Sequence, residues 1–292
     1  MEALSAFVPL VIKIGIDPQI TKIGGLEIAW HGVFTALGVI CGVGVAAFFA
    51  RRAGFGEDAI YNTALALVIG GIIGARALYV LENHSQFEDD LLDVFAINAG
   101  GISIYGALIG GTVGALAYAA WRRLPSRLAM ADIAAMGGII GMAVGRIGDI
   151  INGEHFAKTT DWPIGVLYTN TNSPSYPQFT AHDPPLAQHP VVGYELVGDL
   201  LIFVALFVLY RMLKRDGIVF WAWVFLYGAM RFGLSFLRDD NIIFAGLRMA
   251  QLIALGAMII APLAVAYMLL PVRRGPSRAE RRRVARETQG RS

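Results

Sequence analysis

The sequence predicts an all-α integral membrane protein with seven transmembrane helices, and three observations carry that prediction. Apolar runs of about twenty residues, the length that crosses a hydrocarbon core of about 30 Å, recur along a chain that is 56% hydrophobic and 16% charged. The mean hydropathy of +0.58 argues against a soluble domain. The joints between runs alternate between basic and acidic or neutral, so an orientation can be read from them.

The elements follow in order. Residues before Trp30 lack a basic start and are broken by Lys13, Asp17, Pro18 and Lys22. They read as a short interfacial helix followed by an extended or turn segment on the membrane surface, not as a cleavable signal peptide. Spans are expected at about 29–50, 59–82, 99–121, 128–150, 190–212, 218–237 and 245–271. The joints RRAGFGED, WRRLPSR and RMLKRDG, with the tail RRGPSRAERRRVARETQGRS, hold sixteen of the 24 Lys and Arg residues. By the positive-inside rule that side is cytoplasmic. The amino terminus, the acidic loop ENHSQFEDDLLD and segment 151–189 then lie outside, and the carboxyl terminus inside. The chain divides into a membrane domain over 1–271, including an external head at about 151–189, and a basic cytoplasmic tail over 272–292. The tail reads first as a topology signal near anionic headgroups. Segment 155–189 carries Pro163, Pro174, Pro177, Pro184 and Pro185, so an irregular head is expected there, of the kind that often serves as a lid or binding loop.

Glycine is abundant, and runs such as GGIIGAR, GGISIYGALIGG and GGIIGMAVG suit close packing between membrane helices. Gly100 and Gly101 differ in preceding a helix start, where free backbone N–H groups could receive an anion. The one cysteine, Cys41, excludes an internal disulfide or a cysteine metal cluster and reads as a small packing residue. His84, His155 and His182 read as solvent-facing loop residues. No histidine spacing suits a metal, and P-loop, GxSxG and dinucleotide patterns are missing from the sequence. Nothing in the pattern points to a metal, a cofactor or a nucleic-acid partner.

The chemistry gathers around GMAVGRIGDIINGE, residues 141–154. Arg146 follows a long apolar run, and a charge at membrane depth costs several kcal/mol unless paired or facing a wet cavity. Asp149 shares its helix face. Arg76, Tyr79 and Asn83 form one polar stripe; Tyr227, Arg231, Ser235 and Arg238 form another. His189, Tyr194, Glu195 and Asp199 open the fifth span, and Trp30 with His31 the first. These groups converge near the outer leaflet. Arginines not matched by nearby carboxylates suit a phosphate, and in a bilayer the available phosphate is a lipid headgroup. Arg248 reads instead as a snorkelling or paired arginine.

IDPQITKIGGLEIAWHG, GARALYVLEN, GGISIYGALIGG, GRIGDIINGE, HPVVGYE and YGAMRFGLSFLR, in that order, make the chain resemble the bacterial prolipoprotein diacylglyceryl transferases over nearly its whole length. The resemblance implies a multi-pass enzyme of the bacterial cytoplasmic membrane with its site toward the outer leaflet. It would move the diacylglyceryl group of phosphatidylglycerol to the thiol of the lipobox cysteine in a prolipoprotein signal peptide, releasing glycerol phosphate. Carried over by motif, Arg146, Asn152, Gly153 and Glu154 match the central signature, and Arg231 matches the sixth-span arginine. Tyr105 stands where the family carries His or Tyr. His31 replaces a usual Tyr, Asp149 a usual Asn and Ser235 a usual Glu, while Val192 and Gly193 replace more usual polar and Leu residues.

Arg146 and Arg231 are then expected to clamp the lipid phosphodiester, with Asn152, Gly153, Arg76, Gly100 and Gly101 contributing to the lipid site. Tyr105, Glu154 and His31 are the candidates for activating the substrate thiol, which must lose its proton to attack. A transporter would need polar residues continuing across the midplane, and a non-catalytic lipid-binding protein would fit the departures from the family pattern.

Overall fold

The computed structural model describes residues 10–24, 26–87, 91–95, 101–122, 124, 126–162 and 164–270. Seven helices run through it: α1 (Trp30–Arg52), α2 (Glu57–Glu82), α3 (Ile104–Trp121), α4 (Arg127–Asn152), α5 (Val191–Met212), α6 (Ile218–Leu234) and α7 (Met249–Leu269). Among the described residues six are long and apolar enough to cross a membrane, and the apolar part of α3 that is described, Ile109–Trp121, is shorter. Tail residues 272–292 lie outside the described residues.

Two helix pairs form the frame, α1 along α4 and α2 along α3. Both contacts run over glycine. Gly38 and Gly42 face Gly141 and Gly137, while Gly70 and Gly74 face Gly110 and Gly106, so closely that a Cβ at Gly74 would strike the Gly106 carbonyl. Lipid tails are as apolar as leucine, so membrane helices gain little by hiding leucine from lipid; close backbone approach supplies dispersion contact instead. Cys41 does not join this packing: it lies exposed on α1, contrary to its expected role as a packing residue.

A second core sits toward the end of the bundle where α1 finishes and α6 begins. Met136, Ile139 and Leu206 are fully buried there, and Phe49 packs edge-on against Phe207 and Tyr210. Helix α6 begins without a side-chain cap of its own, after Gly217 at φ 91°. Buried Asp132 of α4 takes over, accepting the N–H groups of Gly217 and Phe220 at 2.7 Å each. Two otherwise orphaned donors are thereby satisfied across helices.

The opposite end carries the head, which is more regular than its proline content predicts. Strand β1 (Leu10–Ile14) pairs in parallel with β4 (Ile164–Tyr168), so the expected interfacial helix is replaced by a strand over these residues; residues 1–9 lie outside the described residues. Strands β2 (Gln19–Ile23) and β3 (Leu26–Ala29) form a hairpin before α1, and β5 (Ile242–Phe244) with β6 (Leu247–Arg248) form another before α7. Gln188, almost fully buried, stitches the head together by accepting from Ala157 N–H at 3.0 Å and donating to the Ser175 hydroxyl at 3.0 Å. Periodicity does not reveal such a strand, because its partner is about 150 residues away.

Gly74→Leu is expected to overpack the α2–α3 seam and cost about 1–3 kcal/mol, read as a lower unfolding temperature in detergent. Gly44→Leu, at a position with open space around it, is the matched control and is expected to leave that temperature unchanged. Asp132→Ala strands two buried donors and is expected to destabilise by a similar ~1–3 kcal/mol.

Candidate active site

Helix α4 delivers Arg146 and Asp149 to the head end and then stops. Gly153, at φ 71°, ends it in the left-handed conformation, and a Cβ there would collide with the Ser173 hydroxyl and the Tyr168 ring. Only glycine fits this turn. The Ser175 hydroxyl donates to the Gly153 carbonyl at 2.6 Å, and the Ser173 hydroxyl reaches the Asn152 carbonyl at 3.5 Å. The head thus grips the end of the helix that carries the arginine. Burial, with the Asp149 charge adding to it, pushes the Tyr168 phenol up to about 12, so it stays protonated.

The Arg146 guanidinium lies between three carboxylates. Its Nη1 is 3.0 Å from Asp149 Oδ2 and 3.0 Å from Glu195 Oε2, and its Nε is 3.9 Å from Asp199 Oδ2. Its Nη2 donates to the Tyr227 hydroxyl at 3.4 Å. Arg231, on α6, ion-pairs with the other oxygen of Glu195, and Arg238 approaches that same oxygen at 3.7 Å. Glu195 and Asp199, four residues apart on α5, are wholly buried. The two arginines singled out from the sequence therefore meet, and the group they share is a carboxylate of the protein. The expectation of arginines in excess of local carboxylates is overturned: Arg146, Arg231 and Arg238 stand against Asp149, Glu195 and Asp199. Glu195 and Asp199 were visible as a polar face opening α5, but their depth of burial was not.

Asp149 extends the network toward α1. Its Oδ1 is 2.7 Å from His31 Nδ1, and its Oδ2 is 3.5 Å from His155 Nε2. The Arg238 guanidinium in turn donates to His155 Nδ1 at 3.2 Å. His155, expected to face solvent, is thus built into the site. Glu154 Oε1 lies 3.9 Å from His31 Nδ1. Ser235 is buried and donates to the Arg231 carbonyl at 2.6 Å, so it supplies no counter-charge; Glu195 does.

Other expected residues fall elsewhere. Buried Arg76 donates to the backbone carbonyls of Val94 at 2.8 Å, Gly101 at 2.7 Å and Asp93, gripping the loop between α2 and α3. Gly101 has φ 74°, and a Cβ there would press on the Tyr79 ring. Gly100 and the side chain of Tyr105 lie outside the described residues; Tyr105 itself is in the first turn of α3. Arg248 donates to the Asp240 backbone carbonyl at 3.0 Å, a backbone contact in place of the helix carboxylate or snorkelling position expected of it.

From this network an elongated cavity of about 570 Å³ runs between α1, α2 and α4. His31, Arg146 and Asp149 line it near the head, and Thr35, Leu67 and Ile133 are among the residues that line it further along. Its lining positions on α1 run from His31 to Ala46, about 22 Å of helix at 1.5 Å per residue. A polar mouth and a long apolar slot match an amphiphile with an anionic head.

Comparison with known proteins agrees. Residues 18–267 match the family model described as prolipoprotein diacylglyceryl transferase. A protein of Clostridioides difficile (strain 630) named "phosphatidylglycerol--prolipoprotein diacylglyceryl transferase" is 32% identical over 244 residues, covering 84% of this chain and 92% of its own. Proteins of the same name from Trichormus variabilis, 32% identical over 86% of this chain and 89% of theirs, and Synechocystis sp., 29% identical over 91% and 94%, are similar throughout. On the ordered motifs, the gathered arginines and this match over most of its length, the chain belongs to the prolipoprotein diacylglyceryl transferase family.

Proposed function

We propose that this chain transfers the diacylglyceryl group of phosphatidylglycerol to the thiol of a lipobox cysteine in a prolipoprotein, forming a thioether and releasing glycerol phosphate. The observation that carries the reading is Arg146 at the mouth of an apolar slot, sharing Glu195 with Arg231. The slot accepts acyl chains, and Arg146 at its mouth, with Arg231 behind it across Glu195, receives the phosphodiester. Glu195 orients both forks before substrate arrives, and the phosphate joins or displaces it as the lipid seats. Charge then grows on the departing glycerol phosphate where donors already point, which is the form of catalysis that needs no reorganisation during the step. Both substrates are amphiphiles, so they enter laterally, while the head, anchored on Gly153, guides the signal peptide. Arg76 and Gly101 serve by fixing the α2–α3 loop, and Asn152 and Gly153 by fixing the end of α4. The displacement requires no cofactor, because the lipid carries its own leaving group.

The same reading sets the topology. All seven helices span, the head and amino terminus lie outside, the basic joints and tail lie in the cytoplasm, and the site sits toward the outer leaflet of the bacterial cytoplasmic membrane. The polar groups cluster at the head end while the slot beneath them is apolar, an arrangement unlike a polar path across the bilayer.

Arg146→Ala and Arg231→Ala, each still inserted, are expected to lower transfer of labelled diacylglycerol to a lipobox peptide by at least about 10²–10³-fold in vesicles. Full activity in either would remove the clamp. Glu195→Gln leaves several buried guanidinium charges short of a partner and is expected to destabilise by roughly 3–5 kcal/mol, read as a lower unfolding temperature in detergent.

A further inference from the structure

The two positions at which this chain departs from its family on α1 and α4 touch each other. His31 and Asp149, which the motif resemblance reads as standing in place of tyrosine and asparagine, have side chains that meet at 2.7 Å. Asp149 is held as a carboxylate beside Arg146 at 3.0 Å, so His31 Nδ1 carries the hydrogen that it donates. The opposite ring nitrogen, Nε2, has no hydrogen-bond partner among the described residues, and in the neutral ring it carries the lone pair. The ring is 45% exposed and lines the cavity beside Arg146.

We infer that His31, oriented by Asp149, is the catalytic base that takes the proton from the substrate thiol. The inference rests on diacylglyceryl transfer being the reaction, and it assigns a base where the sequence offered three. Glu154 follows the glycine that ends α4 and is 43% exposed, with its approach to His31 as its one polar contact among the described residues. Nothing orients it. Tyr168, the phenol buried beside Asp149, stays protonated. Among the described side chains, which do not include that of Tyr105, His31 combines an oriented ring, an open acceptor atom and a place at the mouth of the slot where the lipid phosphate is held.

The step balances without any further reagent. Nε2 takes the thiol proton, and the thiolate attacks the glycerol carbon that bears the phosphate. The C–S bond forms as the C–O bond breaks, and the electron pair leaves with glycerol phosphate. The imidazolium, its charge faced by Asp149, then returns its proton to the released phosphate monoester or to water. The charged groups against His31 are Asp149 from α4 and Glu154 from the segment after it; Arg146 and His155 meet the same Asp149 carboxylate, and the α2 wall of the cavity contributes Thr63 and apolar side chains. Asp149 is a positioning residue: it acts through the ring and does not reach the thiol.

The test uses the full chain in vesicles of phosphatidylglycerol with a lipobox peptide, across a range of pH. His31→Gln is expected to lower kcat by about 10²–10⁴-fold, with KM for lipid little changed, and to abolish the acid limb of the profile. Added imidazole should restore part of the activity of His31→Ala. Asp149→Asn should lower kcat and move the acid limb, and the double variant His31→Gln/Asp149→Asn should be no slower than His31→Gln alone, as expected of residues acting as one unit. Wild-type kcat and pH profile in His31→Gln would overturn the assignment, as would an inserted His31→Ala deaf to imidazole with an unmoved acid limb in Asp149→Asn. A wild-type chain that transfers nothing defeats the proposed function and this assignment together, whereas an active wild type equalled by His31→Gln defeats the assignment alone.

Discussion

One buried carboxylate holds the site together. Glu195, wholly enclosed, is approached by guanidinium groups from α4, from α6 and from the turn after α6. An isolated ion at that depth would cost several kcal/mol, and so would each arginine without its partner. Three elements are therefore tied to a single point by electrostatics that hydrophobic packing cannot supply in lipid. Removing any member leaves the others exposed to a low dielectric, so the network is both a constraint on the fold and a store of aligned charge.

Around that point the structure fixes the ends of helices and leaves a slot between them. The head seizes α4 at Gly153, Arg76 draws the α2–α3 loop onto α2 through backbone carbonyls, and the glycine seams bring α1 to α4 and α2 to α3 at backbone distance. The cavity is what remains where the two pairs face each other, with α1 and α4 on one side and α2 on the other. Close seams within pairs and a gap between them have the same origin. Glycine permits the first, and larger side chains such as Leu67, Ile60 and Met130 hold open the second.

Helices were legible because a bilayer imposes length and apolarity on each of them, and the arginine pair was legible because charge in an apolar run demands a reason. What escaped was set by contacts distant in sequence. Strand β1 finds its partner in β4 across the whole of the first four helices, and no local pattern records that. Glu195 looked like one of several polar residues opening a span, and its role appears only when α4 and α6 bring their arginines to it. His155 looked like a loop residue because it follows the end of α4, yet the turn at Gly153 folds it back against Asp149. The fourfold rule along a helix exposes faces; it does not say which faces meet.

The departures from the family pattern become intelligible once those meetings are known. The hydroxyl of Ser235, read from the motifs as standing in place of a glutamate, donates to the Arg231 carbonyl of its own helix, and Arg231 pairs with Glu195. A carboxylate gained at 149 is not surplus, because it faces Arg146 on one side and His31 on the other. Substituting asparagine by aspartate beside an arginine would by itself weaken the positive field meant for a phosphate. Pairing the new charge with a histidine returns a donor to that side and brings a proton acceptor to the mouth of the slot. The carboxylate and the ring thereby act as one unit at the mouth of the slot, the carboxylate facing Arg146 and orienting the imidazole.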